Sequence, residues 1–209
     1  MIKNQQDKPY SYKFYRLIFK IAAPVIRLFR PFKVSGEDNI IKGPALVCSN
    51  HSAMIDPFLI AISFGIDDPV HVIAKIEIFK IPVVSAFMWK MGMICVDRSI
   101  NDIASVKASL GYMKKGEKVV IFPEGTRSSE FDAHAAKSGA IKLAERAGVP
   151  VIPVFVPRKK PFFKKSTLVF GEPYFIEKQK EKRTADDYTI LAEELMNKIQ
   201  ALDPAGVIE

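Results

Sequence analysis

The sequence predicts an α/β fold, a mixed and largely parallel sheet flanked by helices and preceded by an amphipathic helical segment. Three observations predict it. Short apolar runs alternate with longer stretches of helical periodicity from residue 44 onward, the β-α-β-α-β pattern of parallel strands joined by crossover helices. The 209 residues, 48% of them hydrophobic, suffice for one domain with a full core. Ahead of that alternation, residues 12–31 are apolar but carry regularly spaced cations.

That first stretch is interrupted by Lys13, Arg16, Lys20, Pro24, Arg27 and Arg30, whereas a membrane span needs roughly 20 mainly apolar residues. No spanning helix is expected. The stretch also has no small-residue cleavage pattern, so no secretory signal is expected either. Lys13, Arg16, Lys20, Arg27 and Arg30 fall at helical spacing along one stripe that Ala23 completes. Phe14, Leu17, Ile18, Ile21, Val25, Ile26, Leu28 and Phe29 occupy the remaining surface. Such a helix suits the interface of a bilayer, apolar side in the acyl layer and cations at the headgroups. It equally suits a core helix whose basic side faces water. Pro24 is expected to kink or divide it.

Apolar runs predict strands at 44–49, 70–74, 93–96, 118–122, 151–156 and 167–170. Between them, Asp56-Pro57 is a helix start with Asp56 as N-cap and Pro57 first inside. Helical patterns follow at 78–91, at 102–113 with Gly116 as left-handed cap, at 135–147 stopped by Gly148, and at 185–202. Residues 1–32 are expected to be an amphipathic membrane-associating segment and 33–209 the catalytic domain. The first dozen residues and the last few are expected to fray.

A net charge of +8 implies an anionic partner, whether nucleic acid, a phosphate-bearing molecule or an anionic membrane, or else a soluble protein with surplus surface lysines. The cations are dispersed over turns and the aromatics sit in apolar runs, so no stacking platform for nucleic acid is present. Cys48 and Cys95 lie in apolar surroundings without metal-ligand spacing, and read as buried thiols in a reducing compartment. No metal site and no bound cofactor is expected.

In open α/β sheets, ligands gather where strands end and helices begin. Three such turns carry reactive residue types. After the first strand comes Asn50-His51-Ser52-Ala53-Met54-Ile55-Asp56. A histidine can take a proton from an alcohol and return one later. A carboxylate on its far nitrogen fixes the tautomer and stabilises the imidazolium. Without a serine, this pair suits activation of a substrate's hydroxyl; an N-cap and a turn histidine would leave the same residues. The turn Phe122-Pro123-Glu124-Gly125-Thr126-Arg127-Ser128 offers backbone N–H groups and a guanidinium for phosphate. Ser128 and Ser129 are candidates for a helix cap or for extra phosphate contacts. Gly92 to Arg98 brings Arg98 to a third strand end, and Lys75 follows the strand at 70–74. Three cations around a carboxylate–histidine pair describe a site for a phosphorylated alcohol. No Gly-x-Ser-x-Gly elbow occurs, which argues against a serine hydrolase.

These segments, in this order, resemble the four sequence blocks of the glycerolipid acyltransferase family. The first is similar to Asn50-His51 followed after four residues by Asp56, and the second to Gly92 through Arg98. The third resembles Phe122-Pro123-Glu124-Gly125-Thr126-Arg127-Ser128, and the fourth Val149-Pro150-Val151-Ile152-Pro153-Val154. The resemblance implies that His51 is the general base and Asp56 its orienting carboxylate. It implies that Glu124, Gly125, Thr126 and Arg127 form much of the acceptor site, with Arg127 on the phosphate and Arg98 and Lys75 assisting. The fourth block, being apolar, is implied to pack or to line the acyl path. Met54-Ile55 departs mildly from many relatives.

The activity implied is transfer of an acyl group from a coenzyme A or acyl carrier protein thioester to the hydroxyl of lysophosphatidate, giving phosphatidate. The implied partners are an anionic membrane surface, a lysophospholipid acceptor and the acyl thioester, with no nucleic acid. The implied location is peripheral, on the cytoplasmic face of a membrane, which favours the interfacial reading of residues 12–31. Arg158, Lys159, Lys160, Lys164 and Lys165 around Phe162 and Phe163 form a second basic cluster, a dock for anionic lipid or donor phosphates or else a solvated loop. The rivals are the same chemistry on glycerol 3-phosphate, another lysophospholipid or a lyso-aminolipid, and a membrane-binding protein without catalysis.

Overall fold

The computed structural model describes residues 9–205 apart from 101, 178 and 180. Part of the expected fraying therefore lies outside the described residues. It does not extend to Tyr10, whose ring packs edge-on against His71 and Tyr112. The Ser11 N–H donates to the Lys90 carbonyl, and its hydroxyl accepts from the Phe14 N–H to cap the first helix, α1 (Tyr12–Phe29).

Pro24 does not divide α1, which continues through it as one helix. Proline lacks the N–H that would reach back one turn and its ring crowds the carbonyl there; here the ring faces solvent. The face on the core is Tyr15, Phe19, Ala23 and Ile26. Ala23 therefore belongs with the core residues and not with the cationic stripe. Lys13, Lys20 and Arg27 are exposed, and so are Leu17, Ile21, Val25 and Leu28 on a further face.

The sheet has seven strands: β1 (Phe32–Ser35), β2 (Leu46–Ser49), β3 (Val70–Lys75), β4 (Ile94–Val96), β5 (Lys118–Ile121), β6 (Val151–Phe155) and β7 (Ser166–Phe170). Their order is β1-β7-β6-β2-β5-β3-β4. All neighbours are parallel except β6 and β7. β1 falls outside the apolar runs that predict strands, and it pairs with β7 in register from Phe32↔Ser166.

Side chains alternate across a strand, and the two cores follow that alternation. Val47, Ile152 and Val154 face one core with Ala23 of α1 and with Leu59 and Ile60 of α2 (Asp56–Phe64). Leu46, Cys48, Val151 and Phe155 face the other. There they meet α4 (Ile103–Lys114), α5 (Gly139–Ala147) and α6 (Ala185–Gln200). Cys48 and Cys95 are both buried and free of disulfides, as expected.

The helix expected over 78–91 is shorter. Residues Ile76–Lys80 form a 3₁₀ turn, and α3 (Pro82–Lys90) starts at Pro82, because proline fits a first helical turn better than an interior one. The helix expected at 135–147 likewise begins only at Gly139, after a 3₁₀ turn at Ala133–Ala135. Among the described residues no helix is long and apolar enough to cross a membrane.

Candidate active site

Because β2, β3, β4, β5 and β6 run parallel, their carboxyl ends share one edge of the sheet. His51 follows β2, Lys75 ends β3, Arg98 follows β4, Glu124 follows β5, and Arg158 and Lys160 follow β6. Chain segments far apart in sequence are thus delivered to one rim.

The β2–α2 turn is built around Asp56. Its expected role as N-cap is not the one found: Ile55 precedes the helix, and Asp56 is its first residue. The carboxylate turns back instead. Oδ2 accepts from the Ser52 and Ala53 N–H groups at 2.8 Å each and lies 3.0 Å from His51 Nδ1. A carboxylate committed to the preceding turn fixes that turn and the imidazole together.

Asn50 closes the neighbouring strands. Its amide donates to the Val156 carbonyl and accepts from the Val156 N–H, both at 2.8 Å. That buried pair locks the end of β2 to the end of β6. The Ser128 N–H donates to the His51 carbonyl at 2.9 Å, tying the β5 turn to the same point. Ser128 therefore serves the turn, and the helix cap expected of it is not observed. The imidazole stacks on Phe122, ring centroids 4.1 Å apart.

Lys160 belongs to the basic cluster read from sequence as a dock for anionic lipid or donor phosphates or else a solvated loop, and the structure buries it. Its Nζ lies 2.8 Å from Asp56 Oδ1 and 2.8 Å from Ser52 Oγ, and it also reaches the Pro157 carbonyl. Burial opposes ionisation of Asp56, but bonds from His51, Lys160 and the Ala53 N–H hold its carboxyl below the ordinary value. Burial likewise pushes the Lys160 ammonium below its usual range, against the supporting charge of Asp56.

Glu124 is buried beside the dyad, 3.7 Å from Arg158 Nη2. Burial pushes its carboxyl up, and Arg158 opposes the rise. Arg158 also donates to the Ser128 carbonyl at 2.9 Å. Gly125 sits at φ 73°, and a Cβ there would come within 3.1 Å of the Lys137 side chain. Arg98, Gly125 and Lys137 line a cavity of about 320 Å³, with Ile73, Phe122 and Leu143 among its apolar walls. An Asp97 carboxylate that accepts from Ser99 holds the turn carrying Arg98.

Of the residues singled out by sequence, the half-buried His51 and the buried Asp56 and Glu124 come together in one cluster, and Arg98 and Gly125 share the cavity wall. Lys75, Thr126 and Arg127 are exposed at the same rim and lie outside that cluster. Gly92, in the second block, is at φ 74° against the buried His71 ring, where a Cβ would approach Nδ1 to 2.7 Å. The fourth block becomes β6, which is buried throughout. Sequence reasoning missed Arg158 and Lys160 as members of the site, and Phe122 as its platform. The signal for the first two was available: they follow a strand, as Arg98 does.

The arrangement can accept a proton at the imidazole nitrogen not bonded to Asp56 and hold the resulting charge. The described residues contain no group of His, Cys, Asp and Glu able to hold a metal ion.

The family model described as Acyltransferase matches residues 31–157. The 1-acyl-sn-glycerol-3-phosphate acyltransferase of Bacillus subtilis is 32% identical over 170 residues, 78% of this chain and 81% of that protein. The protein of the same name from Borreliella burgdorferi is 33% identical over 138 residues, 65% of this chain and 54% of its own length. The chloroplastic LPAT1 of Arabidopsis thaliana, a further 1-acyl-sn-glycerol-3-phosphate acyltransferase, is 32% identical over 151 residues. The match covers 70% of this chain and 42% of LPAT1, so the chain spans about half the length of these last two relatives. The crystal structure of the 1-acyl-sn-glycerophosphate acyltransferase of Thermotoga maritima matches with a TM-score of 0.65 and 25% identity, covering 95% of this chain and 80% of that one.

Proposed function

The chain belongs to the Acyltransferase family, and from that premise we propose that it transfers an acyl group from a thioester to the free hydroxyl of a 1-acylglycerol 3-phosphate, at a membrane surface. The observation that carries the reading is the His51–Asp56 hydrogen bond of 3.0 Å at the carboxyl edge of the sheet. Three of the relatives described above are named for this substrate.

The reaction follows from that bond. His51 takes the proton of the acceptor hydroxyl, and the oxygen attacks the thioester carbonyl. The tetrahedral intermediate collapses with cleavage of the C–S bond, and the imidazolium returns the proton to the departing thiolate. Asp56 holds the tautomer and stabilises the imidazolium between the two transfers. No acyl-enzyme forms. Arg98 and Lys137 on the cavity wall, with Arg127 and Lys75 on the rim, supply the positive charge that a phosphate monoester requires. The donor is a coenzyme A or carrier-protein thioester.

Docking uses the outer face of α1. Leu17, Ile21, Val25 and Leu28 form an exposed apolar stripe beside Lys13, Lys20 and Arg27. Its carboxyl end meets the exposed Phe162-Phe163 tip: the Phe163 N–H donates to the Phe29 carbonyl, and the Arg30 guanidinium lies over the Phe162 ring. Apolar residues beside cations suit an anionic leaflet such as the cytoplasmic one. Residues 1–32 are thus the membrane-associating segment of the proposal and 33–209 its catalytic part.

A panel of acceptors offered with one acyl-CoA tests the substrate. Lysophosphatidate should be acylated at least tenfold faster than glycerol 3-phosphate, lysophosphatidylcholine or a lyso-aminolipid. Equal or faster acylation of any of these would reassign the acceptor.

A further inference from the structure

We propose that Lys160 is a positioning residue of the site, a buried cation that offsets the charge of the Asp56 carboxylate on the oxygen turned away from His51 and holds the turn that carries His51. This rests on the acyltransferase reading only for the task assigned to His51.

Three observations lead to it. The Lys160 side chain is 3% exposed and that of Asp56 0%, so their 2.8 Å contact is a buried ion pair and not a solvated one. The two oxygens of Asp56 are divided between partners, with Oδ2 toward His51 and the Ser52 and Ala53 N–H groups and Oδ1 toward Lys160. Lys160 also touches the turn that carries His51, through Ser52 Oγ at 2.8 Å. A lysine that served only a lipid surface would keep its ammonium in water.

The consequence is electrostatic. A buried carboxylate bonded to an imidazole favours the protonated ring, and a ring already protonated cannot accept the acceptor's proton. A second cation on the same carboxylate offsets that bias, while the hydrogen bond still fixes the tautomer. The charged groups around the dyad are Asp56 and Lys160 themselves, Glu124 from the β5 turn, Arg158 from the β6–β7 loop, and Arg30 at the end of α1. Lys160 is paired with Asp56, and Arg158 lies nearest Glu124. Removing Lys160 strips Asp56 of the cation 2.8 Å from its Oδ1 and makes the potential at His51 more negative.

The test is titration of the His51 ring by NMR in histidine-labelled full-length protein. The chain has three histidines, and the spectrum of His51→Gln assigns the one in question. In Lys160→Met the midpoint of His51 should rise by about one pH unit or more, roughly tenfold in proton affinity. Lys160→Arg should return it close to the wild-type value. Lys118→Met is the control, since Lys118 is also buried and paired, with Asp68 at 2.6 Å, at the start of β5 away from the site. It should lower stability without moving the His51 midpoint. An unchanged midpoint in folded Lys160→Met, or an equal shift in Lys118→Met, would overturn the proposal.

If Lys160→Met does not fold, stability of the double variant Asp56→Asn/Lys160→Met decides. Pairing makes it more stable than Asp56→Asn alone, which strands a buried ammonium; a double variant no more stable overturns the proposal. The readouts need no acyl transfer. A wild-type protein inactive on lysophosphatidate would remove the acceptor assignment and leave the titration result standing.

Discussion

Asp56 answers to three separate groups: the His51 ring, the N–H groups of Ser52 and Ala53, and the Lys160 ammonium. Replacing it with asparagine removes one charge of a buried pair, a change that costs about 3–5 kcal/mol. At roughly 2–4 °C per kcal/mol for a chain of this size, Tm should fall by about 6–20 °C near neutral pH. The pH dependence has a definite sign. The carboxyl of Asp56 is held below its ordinary value, so its stabilisation is complete above about pH 4 and is lost as pH falls through the lower folded-state value. The Tm difference between wild type and Asp56→Asn should therefore hold steady from pH 7 to pH 5 and narrow below about pH 4. A difference that widens toward acid would refute this account of the ion pair. His51 and Asp56 were legible in sequence because their partnership spans one short turn. Lys160 was not, because it meets Ser52 across 108 positions and only the sheet order brings them together. The Asn50 bond to Val156, across 106 positions, is hidden for the same reason.

At the scale of the element, α1 shows what periodicity can and cannot deliver. It predicted an amphipathic helix and left two roles open, core and interface. The folded helix divides its surface: Tyr15, Phe19, Ala23 and Ile26 pack inward, while Leu17, Ile21, Val25 and Leu28 remain in solvent. A single cationic stripe could not reveal that the apolar remainder comprises two faces. β1 escaped because Phe32-Lys33-Val34-Ser35 is too short for alternation to register, and its pairing with β7 depends on a strand more than 130 positions away. The outward stripe carries its own prediction. Full burial of a leucine or isoleucine side chain contributes roughly 1.5–3 kcal/mol. The double variant Ile21→Glu/Leu28→Glu should therefore weaken co-sedimentation with anionic vesicles at least tenfold while leaving Tm within a few degrees. Undiminished sedimentation would assign the membrane contact to another surface.

For the whole molecule, the decisive property is the order β6-β2-β5-β3-β4 with every strand parallel. Alternation of apolar runs and helices was enough to predict a parallel sheet, since crossover connections demand one. It did not reveal which strands are neighbours, because strand order is decided by packing across both faces. That order sets β2, the strand of His51, between β5 and β6, and so delivers the Glu124 turn and the Arg158–Lys160 loop to either side of the imidazole. The cavity lined by Arg98, Gly125 and Lys137 opens on the same edge. A base, its carboxylate, a compensating cation and a basic cavity thus arise from five strand ends of one sheet. The most direct measurement is the rate of acyl transfer from acyl-CoA to lysophosphatidate by wild type and by His51→Ala of unchanged Tm. Loss of a positioned general base lowers the rate about 10²–10⁴-fold or more, and the account predicts a drop of that size. A folded His51→Ala variant that keeps near wild-type activity would contradict it.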